Sequence, residues 1–536
     1  MRLRRVAREE DGFTVAVAIA TMFLVGLITA AALAATEGDL HLTANDLNHR
    51  QAYAAAQAGI GDYAFHLSTD TGYWAKCTSV PTPNAVNQMG STTKRRSVAG
   101  STTESYAIEL LPATNQSSCS TTNPSTSMLE PAGPNSGSFR IRSTGYSGNE
   151  DVSIVATFKR ASFLDYVYFT QLETSDPVTY GSSSAIAGAN TQCTKTLAQG
   201  RMNATIPNSG GQYCDVISFI NGEAINGPLH TNDALVVCGT PTFGRNSSDS
   251  IEVSSPPQGW YSTGSVANSG SSCTGTPSFV GTYFTNAPVL TPPPTNSQLA
   301  TLAQQDGYDY TGQTTIAFNG ANMTITNNST TVTRPIPSDG VVYIANGSCS
   351  ASYSPFTVTY PTSSTCGNVY VHGTYTAQVT IAAENDVIVD GNLCRSTTAS
   401  CGSSPSGNGM VGLIANNFVR VYHPFANETS KGNCNGGSNG SGSLSNLRID
   451  AAILAISHSF IVDHYDCGST LGTLTINGDV SQKFRGPVGT FSGSSVVSGY
   501  SKNYNYDDRL RYLEPPHFLD PIQVAWHIQR ETLDYP

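Results

Sequence analysis

The chain has 536 residues, only 12% of them charged, with 50 Gly, 25 Tyr and a formal net charge of −11. Length alone asks for roughly two to four domains. The acid excess argues against general nucleic-acid binding, which needs clustered Lys and Arg. Few charges among many small polar residues suit a β-rich extracellular surface better than a cytosolic enzyme.

The chain opens on MRLRRVAREEDG and continues into an apolar run over residues 13–35, broken only by Thr14, Thr21, Gly26 and Thr29. Such a run of about 23 residues is long enough to cross a hydrocarbon core of about 30 Å as a helix. Arg2, Arg4, Arg5 and Arg8 would keep its start in the cytoplasm, giving a single pass with the C-terminus outside. A secretory signal cut at Ala32-Leu33-Ala34 and a plain membrane anchor are the alternatives. Glu9, Glu10 and Asp11, directly before the run, argue against the signal. Residues 37–67 are Ala-rich and free of proline, so the helix is predicted to continue. Leu40, Leu47, Tyr53, Ala56, Ile60, Ala64 and Leu67 form one amphipathic stripe. A helix over 13–67 would be about 80 Å long.

Gly12, followed by Phe13-Thr14 at the head of the apolar run, resembles the prepilin peptidase site of type IV pilins. The run Arg50-Gln51-Ala52-Tyr53-Ala54-Ala55-Ala56-Gln57-Ala58-Gly59-Ile60 is similar to a signature of PilX-like minor pilins. Toward the C-terminus, Ala451-Ala452-Ile453-Leu454-Ala455, residues 478–489, residues 499–510 and Pro515-Pro516-His517-Phe518-Leu519 resemble the end of large PilX-like proteins of Gram-positive bacteria. The resemblance implies cleavage after Gly12 and methylation of a new N-terminal Phe13. It also implies a subunit stored in the membrane and then assembled into a pilus through Phe13, Val17, Phe23, Leu24, Leu27, Leu40, Leu47, Tyr53 and Ile60. Its partners would be a prepilin peptidase, other pilin subunits and the assembly machinery, and its place the cytoplasmic membrane and then the cell surface. Major pilins carry Glu at the fifth mature position, where this chain has Val17, which points to a minor subunit at a tip or initiation complex.

Residues 68–160 are predicted as a small β-rich pilin-like region, with strands around Tyr106, Phe139 and Val152. From about 165 to 500, apolar runs of four or five residues recur between Gly, Asn and Asp turns, with no helices between them. This pattern predicts a mainly β body after the long helix, a parallel β-helix or solenoid first and a β-sandwich second. A loop-rich insertion is expected at about 239–340, where Pro and Ser accumulate. Residues 501–536 are expected to cap the end of the β body, with Tyr504, Tyr506, Tyr512 and Phe518 covering its last edge.

All twelve cysteines lie beyond the apolar run and none forms C-x-x-C, which removes zinc ribbons and thioredoxin-type motifs. Disulfides in an oxidising compartment follow. Sequential pairing is the working expectation, because connectivity itself does not follow from sequence: Cys77–Cys119, Cys193–Cys214, Cys238–Cys273, Cys349–Cys366, Cys394–Cys401 and Cys434–Cys467. No cofactor and no resident metal are expected. A polysaccharide-acting enzyme would need paired carboxylates, or carboxylates holding calcium beside a basic residue. Asp386 with Asp390, and Asp463-His464-Tyr465-Asp466 with His458, are the sets to examine; the first reads more simply as turn residues flanking a strand, the second as part of a disulfide-tied loop beside Cys467. No nucleophile elbow, zinc-protease or phosphate-loop motif is present. The leading expectation is a non-enzymatic surface subunit, with a surface or carbohydrate ligand as its possible partner. A β-helix enzyme and an anchored surface protein outside any filament are the alternatives.

Overall fold

The structure is a computed structural model. It describes residues 13–534 except 71, 78–94, 131–137, 161, 202–203, 208, 256, 267–272, 351, 359, 361–364, 399, 493–494, 512 and 523–525. A long N-terminal helix is followed by a mainly β body, and the chain divides into two compact units. The first comprises the chain up to Arg160 together with Ala525–Pro536; the second is Ala161–Val524.

In the first unit, helix α1 (Phe13–Thr69) runs unbroken for 57 residues. Its C-terminal half is covered by strands β1 (Arg96–Ser97), β2 (Ser105–Leu111), β3 (Phe139–Ser147) and β4 (Glu150–Arg160), completed by the C-terminal strand Trp526–Asp534. All four pairings are antiparallel. The buried side of α1 is Ala52, Ala55, Ala56, Gly59, Ile60, Tyr63 and Leu67, one face at helical spacing. Small residues on that face let the sheet come very near. A Cβ added at Gly145 in β3 would lie 2.0 Å from the Ala52 carbonyl oxygen, and one at Gly59 would lie 2.3 Å from Ser143 Oγ. Ser143 Oγ donates to the Ala56 carbonyl at 2.8 Å, a bond that only this close approach permits. Below it, Tyr63, Trp74, Phe139, Phe158 and Trp526 pack as an aromatic cluster, with Phe139 and Trp526 4.8 Å apart edge to face.

The C-terminal strand corrects the expected boundaries. Residues 501–536 are not one cap: Trp526–Asp534 belongs to the small sheet, with Trp526 opposite Arg160, so the second unit is inserted between β4 and the last strand. Arg142 holds that strand from inside the sheet, with Nε 2.6 Å from Asp534 and Nη1 2.9 Å from Glu109.

The second unit is built on parallel ladders. In one, Asp309–Thr311, Val341–Ala345, Gln378–Ala383, Met410–Ala415, Ala452–Ala455, the second half of Thr470–Phe484, Tyr168–Leu172, Leu229–Thr231, Ser250–Val253 and Thr282–Thr285 pair in that spatial order. Along it runs a row of side chains in register: Val342, Ile381, Leu413, Ile453, Val480, Tyr168, Leu229 and Ile251, each at most 2% exposed. Burying an aliphatic side chain of this size contributes about 1.5–3 kcal/mol, which explains the apolar runs of the sequence. A second ladder includes Thr314–Gly320, Val369–Tyr375, Val387–Arg395, Val419–Val421 and Phe460–Val462, also parallel. Trp260–Ser262, Leu235–Cys238 and Phe219–Ile220 make a smaller three-stranded parallel sheet. Asparagines stack between successive strands: Asn417 Nδ2 donates to Asn385 Oδ1 and Asn385 Nδ2 to Asn368 Oδ1, both at 2.6 Å. The Asn-rich turns of the sequence are thus side-chain ladders.

Residues 239–340 are not an insertion. They supply Ser250–Val253, Thr282–Thr285, Asp309–Thr311 and Thr314–Gly320 to the ladders, followed by the antiparallel hairpin Asn322–Asn327 and Thr330–Pro335. The Pro-rich stretch 289–297 is a strap along the first ladder. Leu290 exchanges hydrogen bonds with the Asn232 side chain at 2.6 and 2.9 Å, and Asn296 Nδ2 donates to the Ala383 carbonyl at 2.8 Å. Proline suits a segment that lies beside a ladder without donating to it. Tyr504 and Tyr506 are likewise no cap. Their strand, Ser495–Tyr506, lies inside the ladder between Thr470–Phe484 and Ala224–Asn226. Phe518 lies against the ladder at Gly412, and Tyr512 falls outside the described residues.

Two glycines of the first unit make opposite predictions. Gly145→Ala places a methyl against the α1 backbone and should cost on the order of 1–3 kcal/mol. Gly61→Ala, in the same helix with open space around it, should gain about 0.5–1 kcal/mol. Thermal unfolding followed by tryptophan fluorescence should show the two Tm shifts with opposite sign.

Candidate functional site

The exposed N-terminal half of α1 is the first site. Val15, Ile19, Met22, Phe23, Leu24, Leu27 and Ile28 are all more than half exposed, Met22 at 77% and Phe23 at 70%, and Val17 is 44% exposed. A contiguous apolar surface of this kind marks an interaction site. The polar interruptions do not break it. Thr21 Oγ1 donates to the Val17 carbonyl and Thr29 Oγ1 to the Val25 carbonyl, each at 2.9 Å, so both hydroxyls are satisfied within the helix. Among the described residues no helix is long and apolar enough to cross a membrane. Side-chain descriptions cover residues 15–31 of the apolar run. Gly12 lies outside the described residues, and Phe13 and Leu40 belong to α1 with side chains outside them.

Farther along α1, Leu47 is 55% exposed and Tyr53 43%. Ile60 is not available to another subunit. At 1% exposure it is buried with Tyr63, Leu67 and Tyr106 beneath the sheet of its own unit. The run around Ala52, Ala55, Ala56 and Gly59 is therefore the seat of the sheet, which explains why it consists of small residues.

In the second unit the cysteines pair in sequence order: Cys193–Cys214, Cys238–Cys273, Cys349–Cys366, Cys394–Cys401 and Cys434–Cys467, with Cys77–Cys119 in the first. The acidic residues singled out in the sequence separate into different environments. Asp386 and Asp390 do not act together. Asp390 pairs with His372 at 2.8 Å on a half-exposed site. Asp386 is buried 3.3 Å from Arg420 Nε, and Arg420 Nη1 lies 3.6 Å from Asp463. The Tyr353 ring faces the guanidinium at 4.4 Å, while the Tyr353 and Tyr360 hydroxyls both donate to Asp463. Burial pushes the Asp463 carboxyl up to about 7, and burial likewise raises Asp386 against the pull of Arg420. His458 pairs with Asp176 at 3.0 Å and stacks on Phe418. Tyr465 is buried in the core. Asp386 and Asp463 thus face an internal arginine, and at 3% and 0% exposure they present no acid–base pair to a glycan.

Arg420 escaped the sequence reading because it sits in an apolar strand, Phe418-Val419-Arg420-Val421. A lone charge at an inward strand position was the available signal. A second buried set was not visible at all, since its members lie far apart in sequence: Arg485 with Glu173 at 3.2 Å, and Lys502 with Glu223 at 3.2 Å. Burial works against ionised Glu223, yet Lys502 and Arg485 hold it below the usual carboxylate range. Asp479 has no such help. It is fully buried and accepts hydrogen bonds from the Ile453 N–H at 3.0 Å and Ser481 Oγ at 2.7 Å, and burial pushes its pKa well up. A cleft of about 600 Å3 is lined by Tyr180, Gln212, Tyr213, Asp215, Thr263 and Lys431, with Lys431 Nζ 2.6 Å from Asp215.

No protein-family model matches the chain, and no curated protein matches it. Among solved structures, the crystal structure of the competence-associated pilin ComZ from Thermus thermophilus is 12% identical, with 91% of this chain and 98% of that chain covered and a TM-score of 0.24. That score lies below the range in which two chains share a fold.

Arg420→Leu leaves two buried carboxylates without their cation and should lose roughly 3–5 kcal/mol at neutral pH, read by urea unfolding. Asp479 gives a pH signature. Its folded pKa lies above the unfolded value of about 3.9, so the folded state binds the extra proton. Its contribution to stability is full below the unfolded value and is lost as pH rises through the folded one. Asp479→Asn should therefore match the wild type near about pH 4 and exceed it increasingly toward about pH 8.

Proposed function

We propose that this chain is a minor pilin-like subunit of a type IV pilus or related filament, held in the cytoplasmic membrane by the N-terminal half of α1 before assembly. The observation that carries the reading is the division of α1. One continuous helix has its C-terminal half seated in a small antiparallel sheet, while the described side chains of its N-terminal half are apolar and bare. In lipid such a half is solvated by acyl chains. In a filament it packs against the same half of neighbouring subunits, and protein contacts replace the lipid ones. Val17, in place of an acidic residue, leaves a neighbour's N-terminal amine without a partner. A rare subunit at a tip or initiation complex tolerates that better than one repeated along a shaft.

On this reading the inserted unit is the cargo displayed outside the cell, and we infer that its ladders are the faces of a parallel β-solenoid. Parallel pairing, strand over strand, and stacked asparagines at the turns support that choice over a sandwich of antiparallel sheets. Five disulfides within it suit an oxidising exterior. Its role is recognition without catalysis, and the cleft beside Tyr180, Tyr213 and the Lys431–Asp215 pair is where a surface or carbohydrate ligand would bind.

Mass spectrometry of the mature N-terminus, on protein purified from its native host, tests the proposal. A start at Phe13 carrying one added methyl is expected. A start just after Ala34, or a chain still beginning at Met1, would contradict it and leave a secreted or anchored surface protein.

A further inference from the structure

Two carboxylates of the second unit, drawn from different loops, each keep one oxygen buried and bare. Val419–Val421 and Phe460–Val462 pair in parallel register, so the loops that follow them leave the ladder side by side. Glu428 lies in the first loop and Asp466 in the second, and the Cys434–Cys467 disulfide ties the two together. Glu428 stands between exposed Asn427 and Thr429, yet it is only 8% exposed, with its side chain turned wholly inward. Its Oε2 accepts from His464 Nδ1 at 2.6 Å, while Oε1 is buried without a hydrogen-bond partner. Asp466 repeats the arrangement: Oδ2 accepts from the Gly432 N–H at 2.6 Å, and Oδ1 is buried without a partner. Carboxylate oxygens of the two residues approach within 4.8 Å of each other.

Such an arrangement is unfavourable by itself. Ionised together, the two would set like charges face to face with a desolvated acceptor unsatisfied on each, and burial, with Asp466 alongside, pushes the Glu428 carboxyl up to about 7. A cation between them removes both penalties. The softer donors nearby are committed elsewhere: the Cys467 sulfur, within the same 4.8 Å, is in the disulfide, and His464 Nδ1 is bonded to Glu428. Lys431, next to Gly432, turns its ammonium to Asp215 at 2.6 Å. What faces the gap is oxygen, which selects a hard divalent ion over zinc or copper. We propose that Glu428 Oε1 and Asp466 Oδ1 bind a calcium-class divalent cation that joins the two disulfide-linked loops. The proposal is independent of whether the chain enters a filament.

The test is calorimetric titration of the EDTA-treated full-length protein with calcium chloride, together with its melting temperature with and without the ion. Saturable binding at a single site is expected, with a dissociation constant at or below the roughly 10⁻⁴–10⁻³ M of extracellular calcium modules and a Tm that rises with calcium. Glu428→Gln and Asp466→Asn should each weaken binding by roughly 10–100-fold. If either variant fails to fold, hydrogen exchange on the wild type decides, with calcium-dependent protection expected at residues 427–433 and 463–467. No calcium response in the wild type would overturn the proposal and leave two carboxylates sharing a proton. Binding that persists in both variants, or protection confined to other segments, would overturn it as well.

Discussion

The register that sets Arg160 opposite Trp526 governs this architecture. Because β4 and the C-terminal strand are neighbours in one sheet, everything between them must leave and return at a single place. A stack of coils that began at one end and finished at the other could not do so without a long return. The inserted unit meets the condition by starting in the middle. Tyr168–Leu172 pairs on one side with Thr470–Phe484, near the end of the unit's sequence, and on the other with Leu229–Thr231, near its beginning. Early strands build outward in one direction as far as Thr282–Thr285. The strap at 289–297 then carries the chain back along the ladder, and Asp309–Thr311 opens the other half, which closes toward the starting strand.

The same economy of space acts on α1. A helix that must seat a sheet on one half and remain bare on the other needs two unlike surfaces. Gly145 and Gly59 allow backbone-to-backbone approach on the seated half, where the Ser143 hydroxyl bonds to a helix carbonyl. On the bare half Thr21 and Thr29 fold their hydroxyls back onto the helix and leave hydrocarbon outward. The charged interior of the inserted unit follows a different rule. Arg420 and Arg485 are buried and are tolerated because carboxylates from distant strands meet them, Asp386 and Asp463 in one case and Glu173 in the other.

Much of this was legible in the sequence where the signal is periodic. The Ala-rich stretch without proline declares the helix, and apolar runs ending in Asn or Gly declare stacked short strands. The reading failed where structure depends on partners remote in the chain. Ile60 lies on the same stripe as Leu47 and Tyr53, and nothing local says that the sheet covers Ile60 and leaves the other two exposed. Thr242–Phe243 and Ser278–Phe279 are two-residue strands, too short for any pattern, so a Pro- and Ser-rich stretch resembled an insertion. Trp526–Asp534 looked like the tail of a cap because its partner, β4, lies hundreds of residues earlier. Asp466 was singled out with its neighbours, but Glu428 escaped for the same reason, since only the disulfide and the ladder register bring its loop to that of Asp466.

The central claim is that the bare half of α1 meets other pilin subunits, and site-specific photo-cross-linking in the native host tests it most directly. A photoreactive residue at Phe23 or Leu27 should form adducts with pilin subunits in the sheared filament fraction, whereas one at Ile60 should form none. Adducts with lipid alone from Phe23 and Leu27, and no chain in the filament fraction, would contradict the account.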